Sequence, residues 1–232
     1  MDIFQELLGA VLFHSYGGGG ILSGFLHPIL GLDHLLAMVA VGFLSAQMGG
    51  RAIWTVPAAF VGVMAIGAVL GILGVAIPVP LVEYGITGSV LILGLGILIN
   101  RTSSTQKAKV EEKKDDGSKL TDAEKAALHK ANTSSSKEET SSGLLPEWVA
   151  IALVAIFAFF HGHAHGTELP ELSETLGLII AYIAGFLIAT VGLHVIGALI
   201  GIMANRNESG KMVMRITGGV IAAVGVFLVM GV

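Results

Sequence analysis

Three side chains that can bind a metal ion lie within eight residues at the start of a long apolar run. They are His27, Asp33 and His34, and imidazole and carboxylate are ligands for divalent transition metals. Polar side chains that enter hydrocarbon are costly, so they are more often functional than incidental. If residues 29–48 form one helix with Pro28 in its first turn, His27 and His34 lie about 20° apart around it and Asp33 about 120° from His27.

A second group of possible ligands follows an apolar run that ends at Phe160. On a helix, His161 and His165 are neighbours four residues apart, and Glu168 lies on nearly the same face. One side of this helix therefore offers two imidazoles and a carboxylate. Their position at the end of an apolar segment favours a metal site over a surface loop that is rich in histidine.

A further histidine, His163, lies between the two that share a face. It would point away from them unless the helix unwinds. Gly162 and Gly166 would ease unwinding, as in the broken helices of transporters. We therefore include His163 among the candidate ligands.

The composition is that of a membrane protein that crosses the bilayer several times. Of the 232 residues 53% are hydrophobic and 13% are charged, the mean hydropathy is +0.81, and 32 residues are glycine. Apolar stretches of about 20 residues recur along the chain, and they are too long and too many for a soluble core. The sequence has no cysteine, so a metal ion would be held by nitrogen and oxygen ligands.

The expected fold is all-α with six transmembrane helices. The predicted spans are 26–48, 52–76, 80–99, 147–167, 174–203 and 212–231. Four regions follow: an external segment at 1–25, helices one to three at 26–99, a largely disordered cytoplasmic loop at 100–145 and helices four to six at 146–232. The halves have opposite orientation, which fits an inverted repeat.

The basic residues predict the orientation in the membrane. All 13 of them fall on one side of the six segments, in or next to the connections after the first, third and fifth. Excess Lys and Arg mark cytoplasmic loops, so the 100–145 loop is predicted to be cytoplasmic and both termini external. This topology places the two ligand groups at the same level near the external face, where they can form one site.

Two other polar residues in apolar segments have competing interpretations. Glu83 begins the third segment on the predicted external side, and it is either an additional ligand or an interfacial acid. His194 lies within the fifth segment, where an interhelical hydrogen bond is a better explanation than metal binding.

The nitrogen and oxygen donors of the two ligand groups, taken together, favour nickel, cobalt or zinc over calcium, magnesium or copper(I).

These motifs resemble the HupE/UreJ family of nickel and cobalt permeases over most of the chain. The first-segment motif, His-(five residues)-Asp-His, is present from His27 to His34. The fourth-segment motif, Phe-His-Gly-any-Ala-His-Gly-any-Glu, is matched in full from Phe160 to Glu168, and the region after Glu83 is similar to the family's third segment. His163 occupies a variable position of the motif.

The resemblance implies uptake of nickel or cobalt across the inner (plasma) membrane, for hydrogenase, urease or cobalamin synthesis. The expected partners are the metal ion, the lipid bilayer and a cytoplasmic metallochaperone, with no nucleic acid. No cofactor is expected beyond the transported ion. The sequence contains no P-loop, so the ion gradient, the membrane potential or a partner would drive uptake.

The leading hypothesis is thus a permease and not an enzyme. An integral-membrane zinc hydrolase is the main alternative, with three protein ligands on the metal and Asp33 or Glu168 as the base. A metal sensor that signals through the 100–145 loop is a third interpretation. Metal accumulation distinguishes the permease from both.

Overall fold

The structure is a computed structural model that describes residues 20–100 and 146–231, except for residues 173 and 174 and the side chains of 170–172. The predictions for the N-terminal segment before residue 20 and for the 101–145 loop lie outside the described residues. The described chain forms seven helices: α1 Ile21–Leu30, α2 Leu32–Met48, α3 Ala52–Ile72, α4 Val79–Ile99, α5 Glu147–Leu172, α6 Leu176–Ala204 and α7 Glu208–Met230.

Helices α3 to α7 are each long and apolar enough to cross a membrane. α1 and α2 meet the same criteria only when they are taken together as a bent pair. The prediction of an all-α membrane protein with several spans is confirmed. The predicted segments agree with the helices to within a few residues, apart from the first, which begins earlier.

The first segment is not a single helix, and this prediction was wrong. The chain bends by 80° between α1 and α2, at Gly31, whose backbone is extended with φ −74° and ψ 113°. Pro28 lies inside α1 and not in the first turn of a spanning helix. Proline in a helix interior removes one backbone hydrogen bond, which favours a helix end nearby. The Gly31 N–H donates to the His27 carbonyl and closes α1.

Three helix pairs form most of the bundle: α2 with α6, α3 with α5, and α4 with α7. In terms of spans, these pairs are one with five, two with four, and three with six. If spans one, two and three are exchanged with spans four, five and six, the pair of one with five becomes the pair of four with two. The pair of three with six is unchanged by this exchange. The main pairings therefore fit the predicted inverted repeat.

Glycine permits the close approach of α3 and α5. A Cβ at Gly162 or Gly166 of α5 would collide with the carbonyl groups of Met64 and Ala68 on α3. From α3, a Cβ at Gly67 would collide with the Phe159 carbonyl. Small residues that bring helix backbones together are typical of membrane interfaces. The glycines of the His-rich motif thus allow α5 to pack closely against α3.

The end of the bundle that carries Arg51 and Arg215, here called the basic end, has the features of a membrane boundary. Trp54 and Trp148 begin neighbouring helices there and are 73% and 72% exposed. Trp is enriched at the interface between hydrocarbon and water. Beside them, the Thr55 hydroxyl donates to a Glu147 carboxylate oxygen at 2.6 Å. The two tryptophans therefore indicate one common level, at the end opposite the His-rich motif.

We predict that Gly162→Ala destabilises the α3–α5 pair by about 1–3 kcal/mol, the usual cost of overpacking. The measurement is the thermal unfolding of the purified protein in detergent. Gly62→Ala is the matched control, because nothing lies within 4 Å of a Cβ at that position of α3. Equal melting temperatures for the two variants would contradict this account of the interface.

Candidate metal centre

The bend at Gly31 brings the His27 and His34 rings into contact. His27 lies in the last turn of α1, and His34 lies in the first turn of α2. Their ring centroids are 5.7 Å apart with the rings nearly perpendicular. The two histidines were expected on one face of a single helix, but they belong to two helices and meet across the break between them. The break also places the start of α2 at the site.

Helix α5 adds a third imidazole to this pair. The ring of His165 lies 4.7 Å from the ring of His27 and 4.7 Å from the ring of His34. One ligand atom from each of the three residues can be chosen so that all lie within 4.8 Å of one another. Such a spacing allows a single ion to reach three nitrogens. We call His27, His34 and His165 the outer trio.

A carboxylate orients His34 within the trio. The Nδ1–H of His34 donates to Oδ1 of Asp33 at 2.9 Å, which leaves Nε2 to accept or to bind a metal ion. Nε2 is buried and has no hydrogen-bond partner among the described residues. A carboxylate behind a ligating histidine fixes its tautomer and increases its basicity. Asp33 also occupies the first turn of α2, where the helix dipole favours negative charge.

His161 lies one turn deeper on α5 and next to the trio. Its ring centroid is 5.0 Å from that of His34, and its Nδ1–H donates to the Phe157 carbonyl at 2.9 Å. This bond orients the ring and leaves Nε2 buried without a hydrogen bond to any described group. His161 is thus in position to take an ion from the outer trio, although it is not itself a member of the trio.

His165 and Glu168 lie on one face of α5, as the spacing predicted. Nδ1 of His165 is 3.7 Å from Oε2 of Glu168, whose side chain is 53% exposed. Both ring nitrogens of His165 are buried and lack hydrogen bonds within the described part of the chain. The exposed carboxylate at the rim would attract a cation towards the buried imidazole beneath it.

The structure places two candidate ligands outside the cluster. α5 remains helical through the motif, so the unwinding that Gly162 and Gly166 would have eased does not occur. His163 consequently points away from the trio and its Nε2–H donates to the Val75 carbonyl at 2.7 Å. Glu83 is exposed near the start of α4 and is not part of the outer trio. His163 lies outside the cluster because it is on a different face of α5, and Glu83 because it lies near the start of another helix, α4.

Aromatic residues that the sequence analysis did not select enclose the site. Tyr182 and Phe186 of α6 stack on each other and lie 6.1 and 6.3 Å from the His27 ring. The Phe60 ring of α3 lies 5.7 Å from the His161 ring. Aromatic residues in an apolar helix show no spacing that separates a site wall from ordinary packing. Only the tertiary contacts identify them.

The donor set fits a divalent ion of borderline softness. Several imidazole nitrogens lie buried without hydrogen bonds from the described residues, and burial of such groups is unfavourable unless they gain a partner. Coordination would satisfy them, and histidine ligands suit nickel, cobalt and zinc. The arrangement can therefore bind a cation and, with the exposed Glu168 at its rim, exchange it.

We predict that Asp33→Asn weakens nickel binding by about 10- to 100-fold, the usual effect of losing a carboxylate behind a metal-ligating histidine. The affinity is measured on purified protein by competition with a fluorescent chelator. His163→Gln is the control, because this histidine is on the same helix as His165 but bonds the Val75 carbonyl, which an amide N–H can also do. Equal loss in both variants would show that the Asp33–His34 pair has no special role.

The sequence was also compared with known proteins. Residues 5–110 and 141–228 match the profile of the HupE / UreJ protein family. Protein HupE of Rhizobium leguminosarum bv. viciae is 41% identical over 213 residues, which cover 91% of this chain and 85% of that protein. No solved structure matches the chain. Both findings cover most of the chain, including the two ligand motifs, and the chain belongs to the HupE/UreJ family.

Proposed function

We propose that this protein is a permease that carries a divalent transition metal, nickel or cobalt, from the outer face of the cell membrane into the cytoplasm. The observation that carries the proposal is the outer trio, in which three histidine donors lie within 4.8 Å of one another. They come from the first and fourth spans, so the site joins the two halves of the protein. Transporter sites commonly lie between repeats in this way.

The choice of ion rests on the donors and on the family motifs. Imidazole with nearby carboxylate suits nickel, cobalt and zinc, and the absence of cysteine disfavours ions that require thiolate. The motifs from His27 to His34 and from Phe160 to Glu168 resemble those of nickel and cobalt permeases. Together they favour nickel or cobalt as the substrate.

The charge distribution supports this direction of transport. Arg51, Arg206 and Arg215 lie at the basic end, and the positive-inside rule makes this end cytoplasmic. The outer trio lies towards the opposite end and would receive ions from outside. A divalent cation that moves inward gains about 4.6 kcal/mol per 100 mV of inside-negative potential, so uptake can proceed without a nucleotide-binding motor.

We predict that His34→Ala and His165→Ala each abolish most uptake of radioactive nickel at low metal concentration, and that the double variant is scarcely worse. Residues that share one bound ion are strongly non-additive when they are altered. The measurement is uptake into proteoliposomes that contain equal amounts of folded protein, with His163→Gln as the control.

Multiplicative losses would indicate two separate sites instead of one. Undiminished uptake in the double variant would contradict the permease. If the wild-type protein accumulates no metal but releases products from lipids or peptides in a zinc-dependent manner, it is the membrane hydrolase.

We further predict that a cysteine at Leu73 reacts with an impermeant maleimide added to intact cells, whereas a cysteine at Ser209 reacts only after permeabilisation. Leu73 is exposed beyond the end of α3, on the side of the His-rich motif, and Ser209 is exposed at the basic end. The native chain has no cysteine, so the protein contributes no background labelling of its own. The reverse pattern would invert the orientation and the proposed direction of transport.

A further inference from the structure

His194 is a buried histidine that the outer site does not use. It lies in α6, is 2% exposed, and neither ring nitrogen has a hydrogen-bond partner in the described part of the chain. The expected interhelical hydrogen bond is therefore not formed with any described group. An imidazole buried at membrane depth without a partner is unfavourable, which indicates that it gains a partner that the described residues do not supply.

Thr190 presents a second unpartnered group on the same face of α6. It precedes His194 by one helical turn and is 0% exposed, and its hydroxyl has no hydrogen-bond partner among the described groups. Threonine in a helix commonly donates to a carbonyl of the preceding turn. Thr167 and Thr217 of this protein do so. Because Thr190 makes no such bond with a described group, its hydroxyl oxygen and the two ring nitrogens of His194 lie without partners on one face of α6, one turn apart.

His194 and Thr190 lie on the same helix as Phe186, which contacts the outer trio, so their depth relative to the trio can be measured along α6. Phe186, which contacts the His165 ring at 4.5 Å, precedes His194 by eight residues. At 1.5 Å per residue this places His194 about 12 Å further along α6. α6 runs towards the basic end, where Asn205 at its C-terminus donates to the Ala46 carbonyl at 2.9 Å. His194 is therefore deeper in the bundle than the trio.

The Phe60 ring contacts a histidine at each of the two levels. Its centroid lies 5.7 Å from the His161 ring and 5.1 Å from the His194 ring, and both contacts are edge to face. Phe60 is itself completely buried. His161 and His194 therefore share one buried aromatic neighbour, which links the level of His161 to that of His194.

We propose that His194 and Thr190 form a second, inner binding site for the transported divalent cation, deeper in the bundle than the outer trio. This inference rests on the proposed function and extends it. Two sites in series are physically useful, because an ion must bind well enough to enter and must also be able to leave, which successive weaker sites permit. Imidazole with a hydroxyl offers fewer and weaker ligands than the outer trio with its carboxylates.

The first test compares His194→Leu with the wild-type protein in proteoliposomes. Leucine keeps an apolar side chain beside Phe60 but cannot bind a metal ion. We expect maximal radioactive nickel uptake to fall by about tenfold or more, as for removal of a metal ligand, while one nickel per chain still binds at the outer trio with an affinity close to that of the wild type. Unchanged uptake in this variant would overturn the inner site.

Thr190→Val provides the same test with a smaller perturbation, because valine retains the shape of threonine without the hydroxyl. Reduced maximal uptake with unchanged outer binding supports the site, and uptake equal to that of the wild type excludes Thr190 from it. If the wild-type protein itself takes up no metal, the proposed function has failed. If the wild type transports and both variants match it, only the inner site has failed.

A ligand exchange separates metal binding from simple packing. His194→Cys introduces a single thiol, which prefers softer ions such as cadmium, whereas His194→Ser has a similar size and no such preference. We expect the ratio of cadmium to nickel uptake to rise in His194→Cys and not in His194→Ser. Identical ratios in the two variants would show that this position does not contact the ion.

Discussion

The high cost of buried imidazole without hydrogen bonds is the constraint on which the rest of the structure depends. Nε2 of His34, Nε2 of His161 and both ring nitrogens of His165 are buried without hydrogen bonds to the described residues. Backbone groups in the helices mostly bond one another, and no described backbone group bonds these nitrogens. The protein instead gathers the imidazoles where one cation can serve several of them. Asp33 supplies negative charge and the correct tautomer for His34.

Two backbone features make this gathering possible. The break at Gly31 turns α1 back over the start of α2, so His27 faces His34 across the bend. The glycine contacts between α3 and α5 hold the His-rich helix close to its neighbour without a break in it. A helical α5 then sends His161 and His165 to one face and His163 to another, so the helical repeat selects which motif residues join the site.

Much of this arrangement could be predicted from the sequence, because hydrophobic length defines spans and helical spacing defines faces. The shared face of His165 and Glu168 was predicted in this way. The break at Gly31 was not, since Pro28 is compatible with both a helix start and a helix end nearby. The positions of Phe60, Tyr182 and Phe186 were also missed. Helices that are apolar on all sides show no periodicity that indicates which face meets which neighbour.

The most direct test of the central claim, that the outer trio binds the transported ion, is X-ray absorption spectroscopy of the purified protein loaded with one equivalent of nickel. This account predicts a first shell of nitrogen and oxygen with the outer-shell scattering of about three imidazoles and no sulfur at thiolate distance. The imidazole signal should decrease in His165→Ala and stay unchanged in His163→Gln. A wild-type spectrum without imidazole scattering, or one that His165→Ala leaves unaltered, would contradict the account.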